Sequence, residues 1–432
     1  MKIPELLAPA GTLQSLRYAL AYGADAVYVG LPRYSLRVRE NEFDNTILKQ
    51  AIQETRQHGK KLYLACNIAA HNSKIDSFLN DMAPIIDLGP DALILSDPGI
   101  IHLVRRDYPD VPIHLSVQAN VVNYAAVRFW QQHGIQRIIL SRELSLDEIE
   151  TIRNRCPDIE LETFIHGALC VAYSGRCLLS GYMSHRDANQ GACTNACRWN
   201  YQAKEAEQTP EGDIIPKTSH EPLFLLEEKG RPGEWLAAEE DEHGTYIFNA
   251  KDLRAIQHVE RFAQMGIHSL KIEGRTKSYF YVSRATQIYR QALDAVAAGA
   301  PFDPQWMTDL EDLGNRGYTE GFYRRHAPEQ IQNYRFGHSQ NHQRFVGEVI
   351  NQEKGKMHVA VKNHFEQGDE MMLMTPRGNI HFTVEDMTNL KGEAMAVAPG
   401  SGHTVVMDAP TQKTLDYALL VKTHTSKGQN PA

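Results

Sequence analysis

Residues 4–30 read PELLAPAGTLQSLRYALAYGADAVYVG, and their reading decides the fold. Two short apolar runs, Glu5–Ala8 and Ala26–Gly30, flank a segment with helical spacing of its apolar residues. A strand, a helix and a second strand make a βα unit, and a parallel sheet follows if the unit recurs. It does recur. Lys61–Asn67, Ala92–Ser96, Ile113–Gln118, Arg137–Ser141, Leu161–His166 and Ser269–Glu273 extend the series to eight predicted strands. Eight βα repeats favour a closed (β/α)8, TIM-like barrel over an open doubly wound sheet, because closure leaves no edge strand to protect. Helix starts agree with this: Ser145 and Glu148 form a capping box, and Asp97-Pro98 puts proline at a first helical position.

The repeat is interrupted once, after the seventh strand, by residues 167–243, before a helix expected to begin near Asp252 and a last barrel helix near Ser278–Ala298. The barrel domain is thus expected to span 1–300. Residues 301–343 read as a basic and aromatic linker. Residues 344–424 carry short strands between Gly, Asn and Pro turns, as in a small C-terminal β-barrel domain, followed by a polar tail at 425–432.

The 432 residues are 42% hydrophobic and 23% charged, the proportions of a soluble globular protein. A net charge of −8 argues against a surface coated in basic residues for indiscriminate nucleic-acid binding, though not against a local basic patch. No basic region followed by an apolar run opens the sequence, so a cytoplasmic protein is expected. Structural disulfides are rare in that compartment, and clustered cysteines there point to metal or redox chemistry.

Four of the six cysteines, Cys170, Cys177, Cys193 and Cys197, fall in HGALCVAYSGRCLLSGYMSHRDANQGACTNACRWN, residues 166–200. Their irregular spacing lacks the paired Cys-x2-Cys knuckles of a zinc ribbon. Iron–sulfur clusters tolerate such spacing, especially on loops whose glycines and serines supply amide donors. On spacing alone an iron–sulfur cluster, zinc and unligated thiols all stand. Cys66 and Cys156 read as small buried apolar residues.

Polar residues gather at the predicted C-terminal strand ends, where a barrel assembles its site. They are Asn67, Ser96, Asp97, Gln118, Asn120, Arg142, Lys271, Glu273 and Arg275. Arg142, Arg176 and Arg275 at one mouth suit an anion, since a guanidinium pairs a carboxylate through two parallel hydrogen bonds. Arg37, Asn67, Gln118, Asn120 and Arg176 are candidate substrate contacts, and Arg142, Lys271, Glu273, Arg275 and His166 candidate catalytic groups. Against this, Lys271 and Glu273 can simply pair with neighbours, and a lone histidine at a strand end is often a packed, hydrogen-bonded residue. No His-Glu-x-x-His, Gly-x-Ser-x-Gly, Walker or Gly-x-Gly-x-x-Gly pattern occurs, so hydrolase, ATP-driven and nicotinamide chemistry lack support.

ETFIHGALCVAYSGRCLLSGY, residues 162–182, resembles the signature of the family historically called peptidase U32. The resemblance extends through PRYSLRVRENEF, DALILSDPGI, LSVQANVVN, ILSRELSLDEI, GACTNACRW, FNAKDLRAI and SLKIEGRTKS to the C-terminal module. It implies an oxygen-independent hydroxylase. Members form 5-hydroxyuridine at the wobble position of tRNA with prephenate-derived chemistry, the first step toward 5-oxyacetyl and 5-methoxy uridines. Others hydroxylate a ribosomal RNA cytidine or ubiquinone precursors, and several carry a 4Fe-4S cluster. The resemblance makes Cys170, Cys177 and Cys193 cluster ligands; the fourth ligand varies in the family, and Cys197 is the candidate in this loop. It further implies that Arg142 and Arg275 hold the two prephenate carboxylates and that a flipped uridine meets the mouth. Arg316, Arg324, Arg325 and Arg335, interleaved with Tyr318, Phe322, Tyr323, Tyr334 and Phe336, become expected contacts to the tRNA anticodon loop, the competing reading being a linker packed on the barrel by its aromatics. Two other classes compete: a peptidase, as the family name says, which predicts a nucleophile or an open metal site, and a non-catalytic metal- or RNA-binding scaffold.

Overall fold

The structure is a computed structural model and describes residues 1–36, 41–169, 251–315, 317–324 and 343–423, together with the backbone of five short strands between 206 and 246. Eight parallel strands close the barrel: β1 Glu5–Pro9, β2 Ala26–Gly30, β3 Lys61–Ala65, β4 Ala92–Leu95, β5 Ile113–Leu115, β6 Arg137–Ile139, β7 Glu160–Ala168 and, after the insertion, β9 Ser269–Ile272. Closure is made at Ser269, which lies in register with Glu5 of β1 on one side and Glu162 of β7 on the other. All eight predicted strands are present.

Five of them, β3, β4, β5, β6 and β9, end short of what the sequence suggests. Strand pairing stops at Ala65, Leu115 and Ile139, and the polar residues that follow leave the ladder to form the mouth. Asn120 illustrates the departure, with a left-handed backbone at φ 52° and ψ 49° that ends a short 3-10 turn.

Helices return the chain to the bottom of the barrel: α1 Leu13–Ala21, α2 Asn45–Gln57, α3 Asn72–Asp87, α4 Pro98–Asp107, α5 Tyr124–Gln132, α6 Leu146–Arg155, α7 Val259–Met265 and α8 Tyr279–Ala298. The expected starts hold. Ser145 and Glu148 exchange the reciprocal bonds of a capping box. Asp97 accepts from the amide of Ile100 ahead of Pro98, so its carboxylate serves the helix end rather than the mouth.

The expected helix at Asp252 is a strand instead, β8 Asp252–Arg254. β7 runs nine residues, long enough to overhang the barrel, and Leu253 and Arg254 pair antiparallel with Gly167 and His166 of the overhang. β10, Tyr318–Thr319, adds a further short strand alongside β8. A backbone ladder formed with a distant segment has overridden local periodicity there; the helix begins only at Val259.

Between Gln343 and Thr423 lies an antiparallel eight-stranded sheet around its own core, which includes Val346, Val359, Met371, Leu373, Met407 and Leu420. It docks on α1 and α8. Tyr18 and Tyr22 pack with Met374 and Leu419, Phe280 stacks on Phe345 at 5.0 Å, and the hydroxyl of Tyr22 donates to the carbonyls of Met374 and Tyr417. Glu348 accepts from Tyr18 at 2.7 Å and from Tyr279 at 3.1 Å. This sets the second domain against the last turn of α1 and the first turn of α8. Among the described residues, no helix is long and apolar enough to cross a membrane.

Candidate active site at the barrel mouth

Inside the barrel the charged side chains sort into two levels. The lower level starts from alternation in β7, which turns Glu162 and Phe164 to the interior. Glu162 is fully buried, 3.0 Å from Lys271 Nζ and 3.3 Å from Arg137 Nη1. Arg137 also meets Glu5 at 2.6 Å and Glu160 at 2.7 Å, and Lys61 lies 3.9 Å from Glu5. Three carboxylates and three cations thus share this floor. Tyr63 donates to Glu5 at 2.8 Å and stands against the ring of His114, 4.6 Å away between centroids. Burial holds His114 well below the usual imidazole range, so it adds no charge. Burial also lowers the Lys271 ammonium, opposed by the pull of Glu162.

The rings of Tyr28 and Phe164 separate floor from mouth. Lys271 Nζ sits 4.2 Å from the Tyr28 centroid and 5.5 Å from that of Phe164. Above them Arg142 lies flat on Phe164 at 3.9 Å, and Arg275 stands 5.8 Å from the Tyr28 centroid. The Tyr28 hydroxyl donates to the carbonyl of Ile272 at 3.0 Å. Burial raises it far above an ordinary phenol, and the charges of Glu273, Arg275, Arg142 and Glu162 all reach it.

Each arginine is positioned by backbone that only this fold supplies. Arg142 donates through Nη1 to the carbonyl of Ala168 at 2.7 Å, and its Nη2 lies 3.4 Å from Glu273 Oε2. Arg275, 7% exposed, donates to Ser35 Oγ at 2.5 Å. It passes over Gly30, where a Cβ would fall 1.9 Å from its Nη1, so the glycine makes room for the guanidinium. Leu36, next to Ser35, donates its amide to Asn67 Oδ1 at 3.3 Å. Asn67 Nδ2 donates in turn to Gln118 Oε1 at 3.0 Å and to Ser116 Oγ at 3.2 Å, and Asn120 Nδ2 to the Gln118 carbonyl at 2.8 Å. Asn67, Gln118 and Asn120 thus form a strap that ties the ends of β3 and β5 to the loop holding Arg275.

His166 is corrected. Its ring points out of the barrel, fully buried, with Tyr281, Tyr289 and Tyr318 centroids 5.8, 5.5 and 5.4 Å away. The bulge between Lys271 and Ile272 shifts the register there and turns the side chain outward. Burial and the charges of Arg254 and Lys277 lower its pKa to about 3, so it stays neutral inside its tyrosine cage and is not an acid or base at the mouth. Lys271 is likewise a floor residue, one level beneath the mouth. Of the linker aromatics, Tyr323 is buried, bonded to Thr163 and to the carbonyl of Phe164, and Tyr318 belongs to the cage, so neither offers a face to a base. Arg324 is 70% exposed and paired with Glu320 at 2.8 Å. Arg37, Arg176, Arg316, Arg325, Arg335, Cys170, Cys177, Cys193 and Cys197 lie outside the described residues.

Sequence reasoning missed Tyr28, Glu162, Phe164, Arg137 and Ser35. A signal existed for Glu162: within ELETFIHGA, Glu160, Glu162 and Phe164 share one strand face. What that face met was not visible.

A closed β/α barrel with Arg142, Glu273 and Arg275 just beyond its strand C-termini, and an antiparallel sheet domain fixed to its flank, is the architecture of a two-domain barrel protein. The chain belongs to peptidase family U32: the family's profile matches residues 11–333, and the profile of the family's C-terminal domain matches residues 341–422. It is 58% identical to tRNA hydroxylation protein P of Escherichia coli (strain K12), over 97% of this chain and 96% of that protein. It is 54% identical to the Haemophilus influenzae protein of that name, again over 97% and 96%. A more distant relative is the E. coli 23S rRNA 5-hydroxycytidine C2501 synthase, 28% identical over 96% of this chain and 59% of that protein.

Proposed function

We propose that this chain is a tRNA-modifying enzyme that forms 5-hydroxyuridine at the wobble uridine, U34, without molecular oxygen and with prephenate as co-substrate. The observation that carries the reading is whole-length identity to a tRNA hydroxylation protein, 58% over 97% of this chain, together with two guanidinium groups at one mouth, Arg142 over the ring of Phe164 and Arg275 near that of Tyr28. Two guanidinium groups suit a dianion, and prephenate carries two carboxylates. Whole-length identity to two tRNA hydroxylation proteins supports the choice of RNA.

In this reading Arg142 and Arg275 bind and orient the carboxylates. The ring of Phe164 backs the guanidinium of Arg142, and the strap through Asn67 and Gln118 keeps Arg275 in place. Cys170, Cys177, Cys193 and Cys197 are a donor set of four thiolates suited to a 4Fe-4S cluster, which when bound supplies an electron carrier or a Lewis acid. Arg142 bonds the carbonyl of Ala168, two residues before Cys170 in the sequence, which supports linking the thiols to the mouth. Brown colour with broad visible absorbance in protein purified without air distinguishes iron–sulfur from zinc in those thiols.

The deciding experiment is mass spectrometry of tRNA nucleosides from cells lacking this protein, grown without oxygen so that no oxygen-dependent route contributes. Loss of the 5-oxyuridine derivatives, restored by the wild-type gene, is expected. Unchanged levels overturn the proposal.

A further inference from the structure

Resting on the reading of the mouth as the site of a tRNA-modifying enzyme, we infer that Lys74, on the rim where the loop after β2 meets α3, binds a backbone phosphate of the RNA beside the target nucleotide. A strand that delivers a base into the mouth lies across its rim, and contacts to phosphate fix such a strand in place. The rim is not uniform. Among the described residues, the loops after β1 and β5 carry no charged side chain, and the loop after β4 carries only Asp97, which caps α4. Arg142 and Arg275, which follow β6 and β9, belong to the mouth itself. On the side of β2 and β3 stand Arg33 and Lys74.

Lys74 lies half-buried in the first turn of α3 and donates from Nζ to the carbonyl of Arg33 at 2.7 Å. Two residues of chain, at most about 7 Å, separate Arg33 from Ser35, which accepts from Arg275. Lys74 is therefore close to the mouth without being part of it. Arg33 is already matched, since its guanidinium meets Asp81 at 2.5 Å and Ser77 Oγ at 2.9 Å. Tyr34 donates its hydroxyl to the same Asp81, and its ring centroid lies 5.5 Å from the Arg33 guanidinium and 5.7 Å from Lys74 Nζ. One carboxylate thus serves a cluster with two cations, and Lys74 forms no ion pair among the described residues. Partial burial, then the charge of Arg33, lowers its pKa, so the ammonium is held against its own preference. An ammonium has three donors, and the Arg33 carbonyl takes one. A phosphate can accept the other two and offset the repulsion from Arg33. A lysine meets it as a point charge, which suits a contact that positions the strand without reading its bases.

Fluorescence anisotropy with the full-length protein, purified without air, and a tRNA transcript carrying U34 tests this across a range of salt. Lys74→Gln keeps a donor for the Arg33 carbonyl and removes the charge. It is expected to weaken tRNA binding about fivefold and to make the salt dependence shallower, by about one counter-ion released. Lys74→Glu is expected to weaken binding roughly tenfold or more. Lys2→Glu makes the same change of net charge ahead of β1, at the opposite end of the barrel, and is expected to bind tRNA as wild type does. Prephenate binding, measured by titration calorimetry, is expected to be unchanged in both Lys74 variants. If it falls together with tRNA binding, Lys74 only braces the loop of Ser35 and the phosphate contact is overturned. Wild-type tRNA affinity and salt dependence in both Lys74 variants overturn it too, as does an equal loss in Lys2→Glu. In each of those cases the reading of the mouth stands; wild-type protein that fails to bind the tRNA at all brings down both.

Discussion

Floor and mouth of the same barrel hold the same kinds of side chain to opposite ends. On the floor Glu5, Glu160 and Glu162 meet Lys61, Arg137 and Lys271, and each charge finds its opposite, Glu162, Arg137 and Lys271 within the interior and Glu160 and Lys61 at its rim. At the mouth Arg142 meets Glu273 at 3.4 Å, while Arg275 bonds Ser35 and stands over the ring of Tyr28. Burying an ion costs several kcal/mol unless a partner compensates. A matched set of buried charges is thus architecture, whereas charges at the strand C-termini of a barrel stand where such folds place their sites. The lesson is that a charged residue on a barrel strand gains its meaning from its height along the axis.

The sharpest way to break this comparison is to unbalance the floor. Glu162→Ala strands Lys271 in the interior, leaving Arg137 to Glu5 and Glu160, and should cost about 3–5 kcal/mol in urea unfolding. The double variant Glu162→Gln with Lys271→Met removes one charge of each sign and should recover much of that loss. If it is no more stable than the single variant, charge matching is not what the floor is for.

The mouth should behave the other way. Arg275→Ala and Arg142→Ala are each expected to leave the circular dichroism spectrum intact while lowering tRNA hydroxylation by about two orders of magnitude, the scale of a lost two-pronged charge pair. Full activity in either variant removes that arginine from the site.

A pH titration separates packed from reactive histidine. His166 has a folded pKa of about 3 against an ordinary 6.5, so its neutral form is favoured by folding. Stability from this group is complete above the ordinary value and is lost as pH falls through the window between the two. Lowering pH from 7 to 5 should therefore cost about 2 kcal/mol through His166 alone. His166→Phe should show a shallower loss over that range, and an equal slope would contradict the cage. The smallest effect expected is at the Arg275 support: Ser35→Ala removes one hydrogen bond, worth about 1 kcal/mol, and should weaken prephenate binding roughly fivefold. Gly30→Ala, which drives a methyl group into the guanidinium, should weaken it further than Ser35→Ala does.

Much of this was legible in the chain. The eight strands follow from repeated apolar runs, the α6 start from Ser145 and Glu148, and the pairing of Arg142 with Arg275 from their places after strand ends. Asp252–Arg254 was not legible, because its strand character comes from the overhang of β7, which lies some eighty residues away. The outward turn of His166 depends on a bulge, and a one-residue shift exchanges the two faces of a strand. Tyr318 and Tyr323 looked like stacking rings because aromatic residues read alike whether they face solvent or core.

By itself the sequence determined the barrel, its single interruption and the four thiols of the interrupting segment, since these rest on local period and residue type. Tertiary structure decided which charges oppose one another. Closure at Ser269 sets β9 beside β1 and β7 together, and only then does Lys271 meet Glu162 while Glu273 rises to Arg142. Electrostatic energy depends on distance and burial, and neither exists until the ring of strands is shut.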